Sequence, residues 1–146
     1  KRRNVPKIRG VGFSSIYKNI AKIFNKLENL PIPTIAYING ACMGGGLELA
    51  LACKYRVLST NEKTKLAFPE IKLGIFPGFA GTIRLPKLIG LLPSLDLILT
   101  GKTVDAKKAY KINLADAIFD DAQKEFMLGD FVKNAITGNL GSRKSF

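Results

Sequence analysis

The feature that most constrains the fold is a run of three glycines, Gly44–Gly46, at the boundary between a strand-like and a helix-like segment. Apolar and β-branched residues at 34–38 predict a strand, Asn39-Gly40 predicts a tight turn, and residues 47–54 predict a helix. Consecutive glycines lose much backbone entropy on folding, so they indicate a point where main chain approaches another group closely. Amides in the first turn of a helix lack intrahelical partners and attract anions. The run therefore predicts a binding site for an oxyanion or a phosphate.

Glu48 is a charged residue within the apolar part of this helix, between Leu47 and Leu49. A carboxylate in apolar surroundings must be hydrogen-bonded, ion-paired or partly protonated. Two interpretations remain open at this point. Glu48 is either a functional carboxylate or an acidic residue that the helix dipole alone favours in a first helical turn.

The length of 146 residues and the hydrophobic fraction of 47% indicate one globular domain with a substantial core. Alternating strands and helices predict an α/β layer fold. We expect the domain to occupy residues 1–137 and a basic, linker-like tail to occupy 138–146. Ser14 or Ser15 is expected to cap the first helix, and Asp105 a later one. Further extended segments are predicted at 55–59, 65–68 and 117–119, and helices at 14–28, 82–88, 93–101, 105–110 and 122–136.

Several classes of protein are not expected from the composition. No apolar run approaches the roughly 20 residues of a membrane span, and no apolar stretch follows the basic start to form a secretory signal. Histidine is absent, and Cys42 and Cys53 fit no zinc-binding spacing, so metal chemistry is not expected. The two cysteines are expected to be reduced residues of the core.

The chain carries a net charge of +12, and Lys18, Lys22 and Lys26 recur every four residues in the first predicted helix. This spacing places the three lysines on one polar face, opposite an apolar face. We expect a solvated surface or a contact with phosphate. Few aromatic residues accompany the lysines to stack on bases, so sequence-specific nucleic-acid binding is not expected.

Two long motifs stand out in the sequence. The first is Ile38–Cys53, which contains the glycine run and Glu48. The second is Pro69–Pro86, which contains Pro69-Glu70 and the turn Pro77-Gly78-Phe79-Ala80-Gly81. Together they resemble the crotonase (enoyl-CoA hydratase/isomerase) superfamily, and within it the hydratase domains of multifunctional fatty-acid oxidation enzymes. Weaker similarity extends the resemblance from about Phe24 to Phe119.

The resemblance implies a crotonase-like ββα superhelix with an acyl-CoA thioester lying against the glycine turn. It implies that Glu48 and Glu70 are the catalytic acid/base pair. It also implies that the Gly45 amide is an oxyanion-hole donor, with Gly44 and Gly78 beside the substrate. The implied reaction adds water to a 2-enoyl thioester, and isomerisation of a 3-enoyl thioester is a further expected activity.

The resemblance further implies the partners and the location. Coenzyme A enters as part of the acyl substrate, and no separate cofactor is expected. The expected assemblies are a homo-oligomer or an α/β complex of an oxidation multienzyme, in the bacterial cytoplasm or, alternatively, the mitochondrial matrix.

The sequence also departs from the family pattern. The family takes a second oxyanion amide and part of its adenine pocket from an upstream Ala-Asp-Ile/Leu loop, which does not occur before Gly40, and Lys7–Gly12 is a poor substitute. The N-terminal strands of the fold are also expected to be absent. Loss of one oxyanion donor lowers rates by roughly 10²–10³, so these residues alone are expected to hydrate poorly.

Two residues of the second motif also carry expectations. Ala80 stands where the family usually has glycine, and Arg84 is expected to be a structural or interface residue rather than a catalytic one. The alternative function is that of a non-catalytic crotonase-fold module that binds RNA or a protein.

Overall fold

The computed structural model describes residues 11–140. Most of the proposed loop substitute at 7–12 and most of the expected tail at 138–146 lie outside the described residues. The helices are α1 (Val11–Glu28), α2 (Gly45–Ala52), α3 (Gly81–Ile89), α4 (Leu91–Thr100), α5 (Ala106–Lys111) and α6 (Lys124–Thr137). The strands are β1 (Ile35–Ile38), β2 (Ala41–Met43), β3 (Tyr55–Ser59), β4 (Lys65–Ala67), β5 (Val104–Asp105) and β6 (Ala117–Phe119). Short 3-10 helices occur at Pro69–Leu73 and Asp121–Gln123.

The described strands form two small sheets. The first has the order β1-β3-β6 and is fully parallel, with Ile38 opposite Leu58. In the second, β2 runs parallel to β4, and β5 lies antiparallel to β4. The parallel pairs are joined by helical crossovers, which confirms the predicted α/β class.

The chain passes from one sheet to the other at Asn39-Gly40. Gly40 has a φ of +134°, its amide donates to Thr64 Oγ1 at 3.2 Å, and its carbonyl accepts from the Lys65 amide at 3.2 Å. The prediction that this turn leads directly to the helix is wrong, because strand β2 lies between them. A strand of three residues carries too little alternation to be recognised from sequence.

The observed helix ends show which local sequence signals correctly predicted where a helix starts or stops. Helix α1 is already formed at Val11, so the prediction that Ser14 or Ser15 caps it is wrong. The Asp105 cap is confirmed, because the Lys108 amide donates to Asp105 Oδ1 at 2.7 Å. Helix α4 begins at Leu91 rather than Pro93, directly after Gly90 in a positive-φ conformation. Helix α6 ends at Thr137, and the division of the chain into a domain and a tail stays a prediction.

Helix α2 lies within the main core. Many core residues that are essentially inaccessible to solvent come from α2, both sheets, α3 and the position directly after β4; they include Leu47, Leu58, Leu66, Leu85 and Phe68. Because α2 is covered on several sides, Glu48 is also buried, with 1% of its surface exposed. The fold therefore places a carboxylate inside the apolar core, where a specific set of donors must stabilise it.

A groove of about 510 Å³ runs along β1 and β2 and reaches Leu27, Leu49 and Cys53. Within the described residues, each of these strands pairs on one side only. Neither Glu48 nor Glu70 lines this groove. Cys42 and Cys53 are free thiols, and burial raises the pKa of Cys42 to about 11. No helix in the described part of the chain is long and apolar enough to cross a bilayer.

Candidate active site

Two backbone amides hold the carboxylate of Glu48. The Phe79 and Gly81 amides donate to Glu48 Oε1 at 2.7 and 2.8 Å. Both donors come from the loop that precedes α3, so the second sequence motif folds back onto the first. This arrangement confirms that the buried carboxylate is hydrogen-bonded and shows that more than the helix dipole stabilises it.

The close approach of the backbone at position 81 to the Glu48 side chain requires glycine at that position. A Cβ on Gly81 would lie 2.9 Å from both Cγ and Oε1 of Glu48 and 3.2 Å from the Phe68 ring. Neither contact is possible without displacement of a buried side chain. Gly81 is therefore part of the site, although the sequence analysis did not select it. The sequence signal that could have identified Gly81 was its position in the glycine-rich turn of the second motif, because its partner Glu48 lies 33 residues away.

Burial raises the pKa of Glu48 above its usual value, since desolvation disfavours the charged form. The two amide hydrogen bonds oppose this increase. The negative charge of Glu70 adds to it, and the positive charge of Arg84 opposes it. Glu48 therefore retains a proton to higher pH than an exposed glutamate does.

Glu70 lies in the 3-10 helix Pro69–Leu73, and its carboxylate faces the start of α2. A Cβ on Gly44 would lie 2.8 Å from Glu70 Oε1. Glu70 Oε2 is buried and has no hydrogen-bond partner among the described residues. A buried, unpaired carboxylate oxygen is unfavourable unless another group binds it. The structure thus brings both predicted acids to the same helix start.

Gly44 and Gly45 give this helix start its shape. Gly44 adopts φ +52°, a left-handed conformation that favours glycine, and its amide donates to the Ala67 carbonyl at 3.0 Å. Gly45 is the first residue of α2, so its amide has no acceptor within the helix. The ring of Phe79 lies beside it, 3.3 Å from the position of a Gly45 Cβ. Gly45 therefore presents an amide without an acceptor in its own helix next to an aromatic wall.

The remaining predicted glycine, Gly78, lies at the edge of this wall. It is exposed, and a Cβ there would lie 3.3 Å from the ring of Tyr17. Tyr17 stacks on Phe79 with a centroid separation of 5.5 Å. Gly78 thus lies beside α1, and its peptide bond with Phe79 carries one of the two amides that donate to Glu48 Oε1.

The lysines predicted to form one face of α1 are exposed: Lys18, Lys22 and Lys26. The apolar face of this helix is incompletely covered by the described residues, since Ile16 and Ile23 are 55% and 60% exposed. Among the described residues, no group of three or more cysteine or acidic side chains is placed to hold a metal ion.

Comparison with known proteins places these residues in a family. The profile of the enoyl-CoA hydratase/isomerase family matches residues 12–128. The fatty acid oxidation complex subunit alpha of Vibrio campbellii is 57% identical over 103 residues, which are 70% of this chain and 15% of that protein. The chain thus spans about 15% of the length of this curated relative.

Solved structures show the same fold. The enoyl-CoA hydratase of Bacillus anthracis superposes with a TM-score of 0.78 at 32% identity, covering 86% of this chain and 49% of that one. A Thermobifida fusca protein, assigned as a candidate enoyl-CoA hydratase and solved with acetoacetyl-CoA, gives a TM-score of 0.78 at 30% identity. It covers 85% of this chain and 48% of that one. These matches confirm the predicted crotonase-like architecture, and the chain belongs to the enoyl-CoA hydratase/isomerase family.

Proposed function

We propose that this chain carries the hydratase chemistry of a fatty-acid oxidation enzyme and adds water to 2-enoyl-CoA thioesters. The observation that carries the proposal is the convergence of Glu48 and Glu70 on the start of α2. One carboxylate is fixed by two amides, and the other has a buried oxygen without a partner in the described chain. A binding module has no need for two acids beside a free helical amide.

The roles of the residues follow from this geometry. Water attacks the β-carbon, electron density moves to the thioester oxygen, and the Gly45 amide stabilises the negative charge that develops there. Glu48 is fixed and accepts a hydrogen bond or proton from the attacking water. A proton held on the unpaired Oε2 of Glu70 is delivered to the α-carbon, and the proton that Glu48 takes from water must return to Glu70 before the next turnover. Isomerisation of a 3-enoyl thioester would instead need one carboxylate to take a proton from the α-carbon and a proton to be returned to the γ-carbon, with the Gly45 amide again stabilising the charge on the thioester oxygen.

The substrate class is supported by the relatives. Fatty-acid oxidation appears in the name of the Vibrio campbellii protein, and the Thermobifida fusca structure contains acetoacetyl-CoA. We therefore propose an acyl-CoA substrate and no cofactor beyond its CoA group. Assembly as a homo-oligomer or within an α/β multienzyme stays a prediction, as does a cytoplasmic location.

The test uses a chimera, because the chain matches a small part of its relatives. The matching segment of the Vibrio campbellii protein is replaced by this chain, and crotonyl-CoA hydration is followed by loss of enoyl-thioester absorbance. We expect hydration by the chimera, and a fall of roughly 10²–10⁴ in kcat for Glu48→Gln and for Glu70→Gln.

Glu62→Gln is the matched control, since Glu62 is an exposed glutamate in the turn between β3 and β4. It should leave kcat unchanged. A folded chimera without hydration would contradict the proposal and favour the alternative of a non-catalytic binding module. Parent-like turnover in either Gln variant would exclude the paired-carboxylate mechanism.

A further inference from the structure

Arg84 is the most highly bonded side chain near the two acids. It lies in α3, and only 5% of its side chain is exposed. Arg84 Nη1 donates to the Phe79 carbonyl at 2.7 Å. Nε and Nη2 donate to Glu28 Oε2 at 3.0 and 2.9 Å, and Nη2 also donates to Asn25 Oδ1 at 2.7 Å. One guanidinium thus joins α3, the loop before it and α1.

Arg84 and Glu48 bind two adjacent peptide groups that share Phe79. Phe79 offers its carbonyl to Arg84 and its amide to Glu48 Oε1. Its ring packs between Tyr17 and Phe24 of α1, at centroid distances of 5.5 and 5.6 Å. Arg84 therefore acts on the residue that fixes one carboxylate and covers Gly45. A lysine could not replace these contacts, because a single ammonium cannot donate in the fork arrangement of a guanidinium.

We propose that Arg84 is a positioning residue for the reaction. By binding the Phe79 carbonyl, it fixes the backbone of Phe79 so that Glu48 and the Gly45 amide keep their relative geometry. The inference rests on the proposed function. It goes beyond the structural role expected from sequence, because it assigns Arg84 an effect on turnover. Small displacements of catalytic groups lower rates by up to about 10²-fold.

The charge of Arg84 also acts on Glu48. The charged groups that influence Glu48 are Glu70 from the 3-10 helix and Arg84 from α3, and Glu28 of α1 pairs with Arg84. Because the positive charge favours the ionised carboxylate, its removal should raise the pKa of Glu48 further. The Glu48 role proposed above needs the ionised form, so the acid limb of the pH–rate profile should move to higher pH.

The experiment compares Arg84→Met, Arg84→Lys and Lys87→Met. Lys87 is an exposed residue on the same helix, so Lys87→Met removes a positive charge without disturbing the Phe79 peptide. The Glu48 pKa is measured in the 146-residue chain by ¹³C NMR of the labelled carboxyl group. The kcat, KM and pH profile of hydration are measured in the chimera described above.

We expect Arg84→Met to lower kcat by roughly 10- to 10²-fold with little change in KM. The same substitution should raise the Glu48 pKa and move the acid limb of the pH–rate profile to higher pH. Arg84→Lys keeps the charge and loses the fork, so it should lower kcat while the Glu48 pKa stays near that of the parent. Lys87→Met should have the same kcat and the same Glu48 pKa as the parent.

Two results would overturn the inference. The first is an Arg84→Met protein that folds with unchanged Glu48 titration and unchanged kcat, which would make Arg84 purely structural. If Arg84→Met does not fold, Arg84→Lys decides the question, and parent-like kcat in that variant overturns the inference. Failure of the proposed function is a separate outcome, because it appears as a folded parent chimera without hydration, before any substitution of Arg84 is made.

Discussion

The two carboxylates reach the same helix start from opposite kinds of local structure. Glu48 projects from an α-helix in the core, and two amides of a distant loop occupy its Oε1. Glu70 projects from a short 3-10 helix at the end of β4, and its buried Oε2 lacks a partner in the described chain. The first carboxylate is held in place, and the second retains a hydrogen-bonding site.

Because of this difference, we expect the surroundings of Glu48 to matter more for folding stability and those of Glu70 more for turnover. Buried hydrogen bonds to Glu48 make its surroundings sensitive to any added atom. The Glu70 carboxylate is the far end of a side chain, so a Cβ added at Gly44 could displace it at a lower energetic cost. Substitutions around Glu48 should therefore affect folding more strongly, and substitutions around Glu70 should affect turnover more selectively. Three substitutions test this contrast, in order of expected effect on stability.

Gly81→Ala should have the largest effect. The added Cβ would lie 2.9 Å from Glu48 Cγ, so the carboxylate or the loop must move within a packed interior. We expect the free energy of unfolding to fall by about 1–3 kcal/mol, measured by urea denaturation. Gly129→Ala is the control, because nothing lies within 4 Å of its Cβ position in α6, and it should stabilise by about 0.5–1 kcal/mol. Equal stability of the two variants would refute the close approach at Gly81.

Gly44→Ala should have an intermediate effect on stability and a strong effect on hydration. The left-handed φ of +52° disfavours alanine by about 1–2 kcal/mol, and the Cβ would displace the Glu70 carboxylate. We expect turnover in the chimera to fall toward that of Glu70→Gln. For stability, the neighbouring Gly46→Ala is the comparison, since its Cβ position is open and its φ is not positive. A Gly44→Ala chimera with parent turnover would show that Glu70 has no fixed position there.

Ala80→Gly should have the smallest effect and the opposite sign. Ala80 adopts φ +71° between the two amides that hold Glu48, a conformation that is strained for a residue with a Cβ. Glycine should therefore raise the free energy of unfolding by about 1 kcal/mol, after allowance for its greater freedom in the unfolded chain.

Asn113→Gly offers a matched comparison for that measurement. Asn113 has a similar φ of +64°, but asparagine tolerates this conformation better, so the gain should be smaller. Destabilisation by Ala80→Gly would contradict the strain at position 80. The structure thus gives a physical reason for the usual glycine at this position, which the sequence comparison with the family only noted.

Local signals in the sequence were sufficient for the elements whose residues decide their own conformation. The glycine run indicated a helix start, and Asp105 indicated a cap. The need of Glu48 for donors was also predictable, because a carboxylate in an apolar segment is unstable without them.

Only the tertiary structure decided which groups meet that need. The donors to Glu48 lie 31 and 33 residues away, and nothing local identifies a backbone amide as one of them. Residues Ala41–Met43 form strand β2 because they pair with β4. The intrinsic strand propensity of these three residues does not account for the strand. Arg84 was recognisable as structural, but its place between Glu28 and the Phe79 carbonyl depends on how α1 and α3 pack. Residue chemistry thus set what each position requires, whereas long-range packing determined which atoms provide it.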